Sequence, residues 1–504
     1  MKNRKNSISL LMIVIIVAKI IGMFRDVVLA NYFGTSSVSD AYLIAVSVPT
    51  LLFYFIGHSL STAYIPMFNK VRYEKDELAA HRYSNNVINV SFLICTVSVA
   101  LLLLFPEVVI KVFASGFDDE TTQIAARFVR ISAPCMYIMT LIYVFNGYLQ
   151  VNNNFLAPAA VSMPRNAVIM VSIVLAAAFG VDWLGWGLLG AYIAELLLLI
   201  PFVLLKGYRY RPVLDFKDKY IRETMYVVMP ILLGMCVSQI NKIIDRSLAS
   251  RVIEGGVSAL SYASIINNAV QEVLSTGIIT VLFASCAALV SRGEHQKVKE
   301  KLAHTIDSVS FLLIPASLGI VVLAESVVKM ILNRGSFDAS SVSMTTSALR
   351  CYTLGLPFLA VRDTMVKVFY AYKDTKATTM TSIVAILVNI VLNIVLSSFW
   401  GIKGLAIATS ISAMFHCIVL YCILRRKIGD FGFRGSVGVL IKSFSSSILM
   451  AVIVYFGNKY LQRVIPLEIV ALILSVIGGM LVYFLSNLVL KTTPLMNWLK
   501  RKGQ

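Results

Sequence analysis

Long apolar stretches, separated by short polar connections, follow one another along the whole of this chain. A helix rises about 1.5 Å per residue, so each stretch is long enough to cross the roughly 30 Å hydrocarbon core of a bilayer. Membrane barrel strands would instead alternate over about ten residues. The pattern predicts an all-α polytopic membrane protein. Its 14 predicted transmembrane spans are 8–33, 38–68, 86–113, 122–150, 156–180, 184–206, 222–250, 257–290, 303–332, 341–371, 377–399, 402–425, 437–457 and 466–490.

Composition agrees with lipid as the solvent for most of the chain. Of the 504 residues, 58% are hydrophobic and 14% are charged, whereas soluble domains have about 45–50% and about 25%. A soluble enzyme, a secreted disulfide scaffold and a disordered protein are therefore excluded. The seven cysteines are scattered through apolar stretches without CxxC spacing, so we interpret them as small buried hydrophobic residues.

The basic excess of the chain is explained by its distribution. Lys and Arg number 45 against 26 Asp and Glu, a net charge of +19. With the amino terminus inside, the inner connections hold 27 of these cations and the outer connections hold 5. This asymmetry places both termini in the cytoplasm. Because membrane topology explains the excess of Lys and Arg, no nucleic-acid partner is inferred from it. The first apolar run lacks a cleavage site and is interpreted as a retained span.

The sequence also repeats itself. Asp26-Val-Val-Leu-Ala30 matches Asp245-Arg-Ser-Leu-Ala249 at an offset of 219, and Gly116-Phe-Asp118 echoes Ser336-Phe-Asp338. Several matches in order indicate a duplication of six spans. An even number gives both copies the same orientation, which predicts two lobes in a parallel pseudo-twofold repeat with a binding site at their interface. The predicted divisions are an N-lobe at 1–206, a cytoplasmic linker at 207–221, a C-lobe at 222–425, and two further helices with a tail at 426–504.

Charged residues inside the predicted spans are candidate site residues, because a charge at mid-membrane costs at least about 2.5–3.5 kcal/mol on insertion scales. One interpretation is a set of ion pairs that lock helices together. The other is a cationic cavity that binds a phosphate-bearing ligand, for which Arg and Lys are suited. The first lobe contributes Lys19, Arg25, Asp26 and Asp40, and the second contributes Lys242, Asp245, Arg246, Arg350, Arg362, Asp363 and Lys367.

Two asparagines share a face of the eleventh span. Asn389 and Asn393 lie four residues apart in an apolar run. With Asp245 and the Thr409 hydroxyl, their amide oxygens could bind a small cation. The alternative to cation binding is that these amides form hydrogen bonds between helices.

Other polar residues and motifs carry less weight. Glu195 and His416 fall in analogous late spans and predict packing or pairing of helices. The chain has no P-loop, HExxH or GxSxG motif, which argues against an enzyme that hydrolyses ATP or esters.

Several motifs resemble one family along nearly the whole chain. The sequence is similar to the MurJ/MviN lipid II flippases of the multidrug/oligosaccharidyl-lipid/polysaccharide exporter superfamily, in which fourteen spans are usual. The motifs that carry the resemblance are Gly22-Met-Phe-Arg-Asp26, Phe33-Gly34, Asp40-Ala41, Ser238-Gln-Ile-Asn241, Val257-Ser-Ala-Leu-Ser-Tyr-Ala263, Arg334-Gly-Ser-Phe-Asp338, Leu354-Gly-Leu-Pro357 and Phe369-Tyr-Ala371.

The resemblance implies a V-shaped, two-lobed transporter that moves an undecaprenyl-pyrophosphate-linked sugar precursor for cell-wall synthesis across the bacterial cytoplasmic membrane. By position, Arg25, Asp26 and Asp40 match family cavity residues, and Lys19 stands where an arginine is usual. The resemblance further implies a lipid-tail groove formed by the last two helices. It also implies a sodium site at Asp245 and at Asn389, Asn393 and Thr409. No other cofactor is expected, and we expect a monomer whose partners are the lipid-linked glycan and membrane lipids.

This chain departs from the family pattern at two positions. The family usually has an arginine in span two where this chain has Phe53, and another in span eight where it has Ile265. Arg246, Arg362 or Lys367 would then have to substitute.

The sequence leaves four hypotheses for the function. Lipid II flipping is the leading hypothesis, and another lipid-linked oligosaccharide is an alternative substrate. A multidrug/cation antiporter would need a more acidic cavity. A membrane glycosyltransferase or ligase would need a large outer loop carrying carboxylates, whereas the predicted outer loops here are short. A scaffold without transport is the fourth reading.

Overall fold

The structure is a computed structural model that describes residues 2–502, without the side chains of 2–9, 55–56, 58–62, 227, 229–238, 433–434 and 498–502. Within residues 2–502 all regular structure is helical, which confirms the predicted fold class. The helices are α1 (Lys2–Phe33), α2 (Ser37–Glu74), α3 (Glu77–Leu104), α4 (Pro106–Phe113), α5 (Asp119–Ser132), α6 (Cys135–Val151), α7 (Leu156–Ala160), α8 (Ser162–Phe179), α9 (Asp182–Leu205), α10 (Lys219–Val252), α11 (Gly256–Ser291), α12 (His295–Leu332), α13 (Ala339–Thr353), α14 (Leu356–Ala371), α15 (Thr375–Trp400), α16 (Ile402–Ile428), α17 (Phe433–Val464), α18 (Glu468–Val489) and α19 (Thr493–Lys502).

The described residues include fewer candidate membrane spans than the fourteen that the sequence predicts. Among the described residues, 10 helical segments are long and apolar enough to cross a membrane, and the pair α5 and α6, bent by 49°, makes an eleventh. The predicted count of fourteen is therefore not confirmed. Two of the other predicted spans, 8–33 and 222–250, include residues whose side chains the structure does not describe. The third, 341–371, is divided between α13 and α14.

Breaks between paired helices occur at matching places in the two copies of the repeat. The first copy breaks between α5 and α6, where Pro134 caps the second helix. The second copy breaks between α13 and α14, where Pro357 lies in the first turn. Proline has no N–H to donate and fixes its own φ, so it suits the first turn and ends the preceding helix. The sequence predicted each of these pairs as one span.

Helix boundaries also follow the duplication. Helices α1 and α10 end at Phe33 and Val252, 219 positions apart, and α2 and α11 begin at the same offset. Asp118 and Asp338 cap α5 and α13 by accepting the N–H groups of residues three positions later, at 2.9 and 2.8 Å. Hydrogen bonds from the side chain and backbone of Thr121 lower the pKa of Asp118, and those from the backbone and side chain of Ser341 lower the pKa of Asp338. The repeat found in the sequence is thus present in the order and limits of the helices.

Contacts between residues divide the chain into two compact units. The first unit comprises Met1–Ser258 with Arg334–Phe337, and the second comprises Ala259–Asn333 with Asp338–Gln504. Helix α10, which opens the second copy of the repeat, therefore belongs to the first unit by contacts. The predicted boundaries at 207–221 and 426 describe the repeat and stay predictions.

An aromatic cluster forms part of the core of the first unit. The rings of Tyr64, Phe68, Tyr148 and Tyr208 are buried together, and those of Tyr148 and Tyr208 lie 5.1 Å apart. The Tyr148 hydroxyl donates to the carbonyl of Lys206 at 2.8 Å. Buried tyrosines need such a partner for their hydroxyl groups. The cluster therefore joins the end of α9 to α2 and α6. The second unit has its own core, in which Leu282, Leu302, Phe369 and Leu420 are buried together.

Three asparagines of α3 hold the linker between α9 and α10. The amide nitrogens of Asn85, Asn86 and Asn89 donate to the carbonyls of residues 209, 215 and 213, at 3.2, 2.8 and 2.8 Å. Their amide oxygens accept in return from Tyr208, the Asp215 N–H and Tyr210, at 2.6, 2.9 and 2.6 Å. Each amide uses both of its ends, so this extended segment is fixed along α3.

Two glycines of the first unit permit close backbone contacts. Gly34 and Gly335 have φ values of +55° and +56°. A Cβ on Gly335 would lie 2.3 Å from the Asn31 carbonyl oxygen, and one on Gly34 would lie 2.4 Å from the Ser336 carbonyl oxygen. The Ser336 N–H donates to the Asn31 carbonyl at 2.8 Å. The backbone of segment 334–337 therefore packs directly against the end of α1, at a distance that a Cβ atom on either glycine would prevent.

Candidate substrate-binding site

Arg25 and Asp26 form an ion pair within α1. Neighbouring helical residues point away from each other, so the long arginine side chain folds back to reach the carboxylate. Its Nε and Nη2 both donate to Asp26 Oδ1, at 3.0 and 2.6 Å. Its third nitrogen, Nη1, donates to the Asn166 amide oxygen of α8 at 3.1 Å. The two side chains are 29% and 13% exposed, so the guanidinium is oriented and still partly accessible.

A second ion pair of the first unit joins α8 to α9. Arg165 donates to Glu195 at 3.4 Å, with side-chain exposures of 32% and 5%. The guanidinium also lies 6.0 Å from the ring centre of Tyr192. Arg165 is adjacent to Asn166, which binds Arg25, so α8 brings both guanidinium groups to one part of this unit. The expected role of Glu195 in pairing helices is confirmed.

Arg165 and Asn166 were not singled out from the sequence. The signal was present, because Arg165 is a charged residue within the predicted span 156–180. The same cost that marked Arg25 as a candidate applies to it.

The ion pair at Arg165 predicts a stability difference. Glu195→Gln should destabilise the first unit by about 1–3 kcal/mol, because the Arg165 guanidinium, which is partly buried, loses its charged partner. Partial exposure of Arg165 limits the loss. The measurement is the thermal unfolding midpoint of the purified protein in detergent.

The matched control replaces both partners with apolar residues. Glu195→Leu combined with Arg165→Met should lie within about 1 kcal/mol of the wild type, since no charge remains buried. A double variant that is less stable than Glu195→Gln would show that the pair is not the source of the effect.

The remaining first-unit candidates lie in different surroundings. Asp40 is 2% exposed, and its Oδ1 accepts the Ser258 N–H at 2.7 Å. This bond satisfies a backbone donor at the start of α11. Lys19 is exposed on α1. The predicted binding roles of Asp40 and Lys19 stay predictions, although Asp40 has a clear structural partner.

Asp245 and Arg246 lie on α10. Asn241 donates to Asp245 Oδ2 at 3.1 Å. The Nη1 atom of Arg246 is buried and has no hydrogen-bond partner within the described part of the chain. A buried guanidinium nitrogen without an acceptor is costly, so an anionic group would be stabilised there.

The second unit contains an ion pair built like that of Arg25. Arg362 donates through Nε and Nη2 to Oδ1 of its neighbour Asp363, at 2.9 and 2.6 Å. Gln271 of α11 donates to the other carboxylate oxygen at 3.0 Å. The side chains of the pair are 28% and 34% exposed. Each unit therefore presents one guanidinium that its own neighbouring aspartate orients.

Lys367 follows this pair on α14. Its Nζ lies 5.6 Å from the ring centre of Phe283 and 5.8 Å from that of Tyr370. Cations are attracted to the faces of aromatic rings. Lys367, on the same helix as Arg362, is thus held by one ring of α11 and one ring of α14.

The two asparagines predicted as cation ligands in the second unit are buried. Asn389 and Asn393 are 4% and 1% exposed, and the Asn393 amide nitrogen donates to Asn389 Oδ1 at 3.0 Å. Thr409 donates to the Leu405 carbonyl at 3.2 Å. The Asn389 oxygen keeps a second lone pair, so the group fits a cation ligand. Asp245 belongs to the first unit, and the four-residue site stays a prediction.

An apolar groove of about 800 Å³ lies in the second unit. Helices α12, α14, α16 and α17 line it, with residues such as Ile314, Phe358, Ile418 and Phe444. Few polar atoms face it, so it suits a hydrocarbon chain rather than a sugar or a phosphate.

The fold and these side chains together indicate the class of protein to which the chain belongs. An all-helical chain whose described residues include ten or eleven apolar spans, with oriented ion pairs inside both units, is a polytopic membrane protein. A family model described as lipid II flippase MurJ matches residues 29–475. The chain belongs to the lipid II flippase MurJ family.

Individual relatives agree over nearly the full length. The probable lipid II flippase MurJ of Thermotoga maritima is 26% identical over 487 residues, which is 96% of each chain. The lipid II flippase MurJ of Thermosipho africanus is 27% identical over 443 residues, 88% of each chain. The resemblance inferred from sequence motifs is therefore confirmed.

Solved structures extend the comparison. A lipid II flippase MurJ in an inward closed conformation has a TM-score of 0.82 at 26% identity, covering 95% of this chain and 98% of that one. An inward-facing multidrug resistance MATE transporter of the MOP superfamily has a TM-score of 0.67 at 15% identity, covering 82% and 95%. The second likeness shows a shared fold alone.

Proposed function

We propose that this chain is a flippase for lipid II, an undecaprenyl-pyrophosphate-linked sugar precursor of peptidoglycan. It moves the lipid from the inner to the outer leaflet of the bacterial cytoplasmic membrane by alternating access. Membership of the family named for this activity supports the substrate. The chain functions as a monomer with both termini in the cytoplasm, an orientation supported by its Lys and Arg distribution.

The observation that carries the proposal is the oriented guanidinium in each unit. In Arg25 and in Arg362, a neighbouring aspartate binds Nε and Nη2 and fixes the plane of the group. Pyrophosphate oxygens accept hydrogen bonds from such a planar fork. Arg165, Arg246 and Lys367 supply further positive charge, and the ligand's negative charge offsets the cost of holding these cations away from water.

The apolar groove of the second unit supports a lipid substrate. A bilayer already solvates a hydrocarbon tail, so the groove gains little by burial and instead positions the tail while the head moves. Because α17 lines the groove, the first helix beyond the repeat takes part in this step. The polar head and the apolar tail are thus handled by different surfaces.

The membrane potential supplies a driving force without nucleotide. Each negative charge that moves outward gains about 2.3 kcal/mol per 100 mV across an inside-negative membrane. Cations of the protein that move with the pyrophosphate reduce this gain. Inward sodium movement is the proposed supplement, with Asn389, Asn393 and Thr409 as ligands in the second unit and Asp245 as the acidic ligand.

A second candidate substrate is another lipid-linked oligosaccharide. The family usually has a cation where this chain has Phe53, which is 1% exposed. The Phe53 ring packs edge-on against Tyr143 with centres 5.4 Å apart. An aromatic residue at a usual arginine position favours a different head group.

The test is complementation of a bacterial strain depleted of its own lipid II flippase. Rescue of growth, with lipid II appearing in the outer leaflet, is the expected result. A chain that reaches the membrane at normal levels and does not rescue would refute lipid II as the substrate. Rescue of a strain lacking an oligosaccharide flippase instead would establish the second candidate.

A further inference from the structure

A polar pocket of about 1170 Å³ lies in the first unit, between the linker and the ends of α2 and α3. The segments that form it, 71–85 and 207–220, are those that the distribution of positive charge assigns largely to the cytoplasm. Its volume is sufficient for a ligand larger than a single phosphate. The charged side chains that line it are five cations, Lys75, Arg82, Arg209, Arg211 and Lys219, and three carboxylates, Asp76, Asp215 and Asp218.

The three carboxylates of this pocket are engaged by the backbone. Asp76 Oδ1 accepts the Ala79 N–H at 2.6 Å and caps α3. Asp218 Oδ1 accepts the Tyr220 N–H at 2.7 Å and caps α10. Asp215 Oδ1 accepts the N–H two residues later at 2.9 Å. Two of these carboxylates thus cap helix ends and the third closes a turn, and their negative charge is stabilising at the helix ends.

The cations of the pocket are not matched by these acids. Among the described ion pairs, none joins a carboxylate to Lys75, Arg82, Arg209 or Arg211. Lys75 and Lys219 lie 5.4 and 5.8 Å from the ring centre of Tyr220. The lining therefore has five cations against three carboxylates, an excess of two positive charges. Among the described residues, Lys219 has an ion pair, with Glu223 at 3.9 Å, and the other four cations have none.

The arginines of the linker are held in place before any ligand arrives. Asn85 binds the carbonyl of Arg209, and Asn89 binds that of Val213, so Arg211 lies between two fixed points. Holding the backbone reduces the entropy that binding would otherwise cost. A segment that served merely to connect two helices would not require these bonds.

We propose that this linker pocket binds a phosphate-bearing anion, through Arg209 and Arg211 together with Lys75 and Arg82. Guanidinium groups bind phosphate oxygens by paired hydrogen bonds. The phosphate belongs either to a soluble compound of the pyrophosphate class or to the head group of an anionic phospholipid. The inference is independent of the proposed transport function, since the pocket contains none of the residues assigned to it.

The test uses the full-length protein in nanodiscs of zwitterionic phosphatidylcholine. Calorimetry measures binding of inorganic pyrophosphate, and native mass spectrometry measures retention of phosphatidylglycerol added to parallel discs. The variant is Arg209→Gln with Arg211→Gln, which keeps the backbone bonds of the linker. The matched control is Arg425→Gln with Arg426→Gln, which removes two exposed cations from the end of α16.

A loss of pyrophosphate affinity of about tenfold or more in the linker variant, and not in the control, would establish a soluble ligand. The same selective loss for phosphatidylglycerol, without pyrophosphate binding, would establish a lipid head group. Equal effects of the linker variant and the control would overturn the proposal, because they would show attraction by general surface charge. Absence of binding to both anions would overturn it as well.

Discussion

Arg25→Ala is expected to reduce flipping by roughly 10- to 100-fold, the loss that follows when a charged ligand loses a hydrogen-bonded cation. The same substitution leaves Asp26, whose side chain is 13% exposed, without its cation and therefore lowers stability. Two effects are then mixed in one variant. Growth rescue, outer-leaflet lipid II and the amount of folded protein in the membrane have to be measured together.

The combined variant Arg25→Ala and Asp26→Ala separates the two effects. Removing both charges leaves no buried carboxylate without a partner, so stability should recover toward the wild type. Flipping should stay low, because the cation that binds the pyrophosphate is absent. Full recovery of flipping in the combined variant would mean that the pair merely locks the helix, the alternative that the sequence left open.

Gly335→Ala is expected to destabilise the first unit by about 2–4 kcal/mol. The backbone has a φ of +56° and a new Cβ would lie 2.3 Å from the Asn31 carbonyl oxygen. Left-handed backbone alone costs an alanine about 1–2 kcal/mol. The rest of the loss comes from displacing a carbonyl that also accepts the Ser336 N–H. The thermal unfolding midpoint measures the sum.

Gly293→Ala is the matched control for this prediction. Gly293 has a similar φ of +72°, and no atom lies within 4 Å of the position of its Cβ. Its substitution should therefore cost the backbone strain alone, about 1–2 kcal/mol. If the two variants had equal midpoints, the contact between segment 334–337 and α1 would contribute nothing to stability.

Much of the fold could be predicted because lipid imposes simple requirements on a chain. A spanning helix must be long, apolar and internally hydrogen-bonded, and these properties can be recognised locally. The repeat could also be recognised, since Asp118 and Asp338 cap equivalent helices. What hydropathy could not give was the break at Pro134, because both sides of it are apolar and the window spans it.

The candidate site was less accessible to sequence reasoning. Adjacent charges such as Arg25 and Asp26 suggested a cavity, yet their mutual bonds and the role of Asn166 depend on where α8 packs. The partner of Asp40 is a backbone N–H, which no side-chain pattern indicates. The pairing of Arg165 with Glu195 needed two predicted spans to be placed side by side.

The first unit is held together by contacts between residues that are far apart in the sequence, and this affects how the protein folds during synthesis. Asp40 depends on the N–H of Ser258, 218 residues later, and Asn31 depends on Ser336. When the ribosome has delivered the first six spans to the insertion machinery, both partners are still untranslated. The leading half of the nascent chain therefore enters the bilayer before these two contacts can form. A gene split at codon 206 should give a first fragment that is degraded by proteases unless the second fragment is co-expressed.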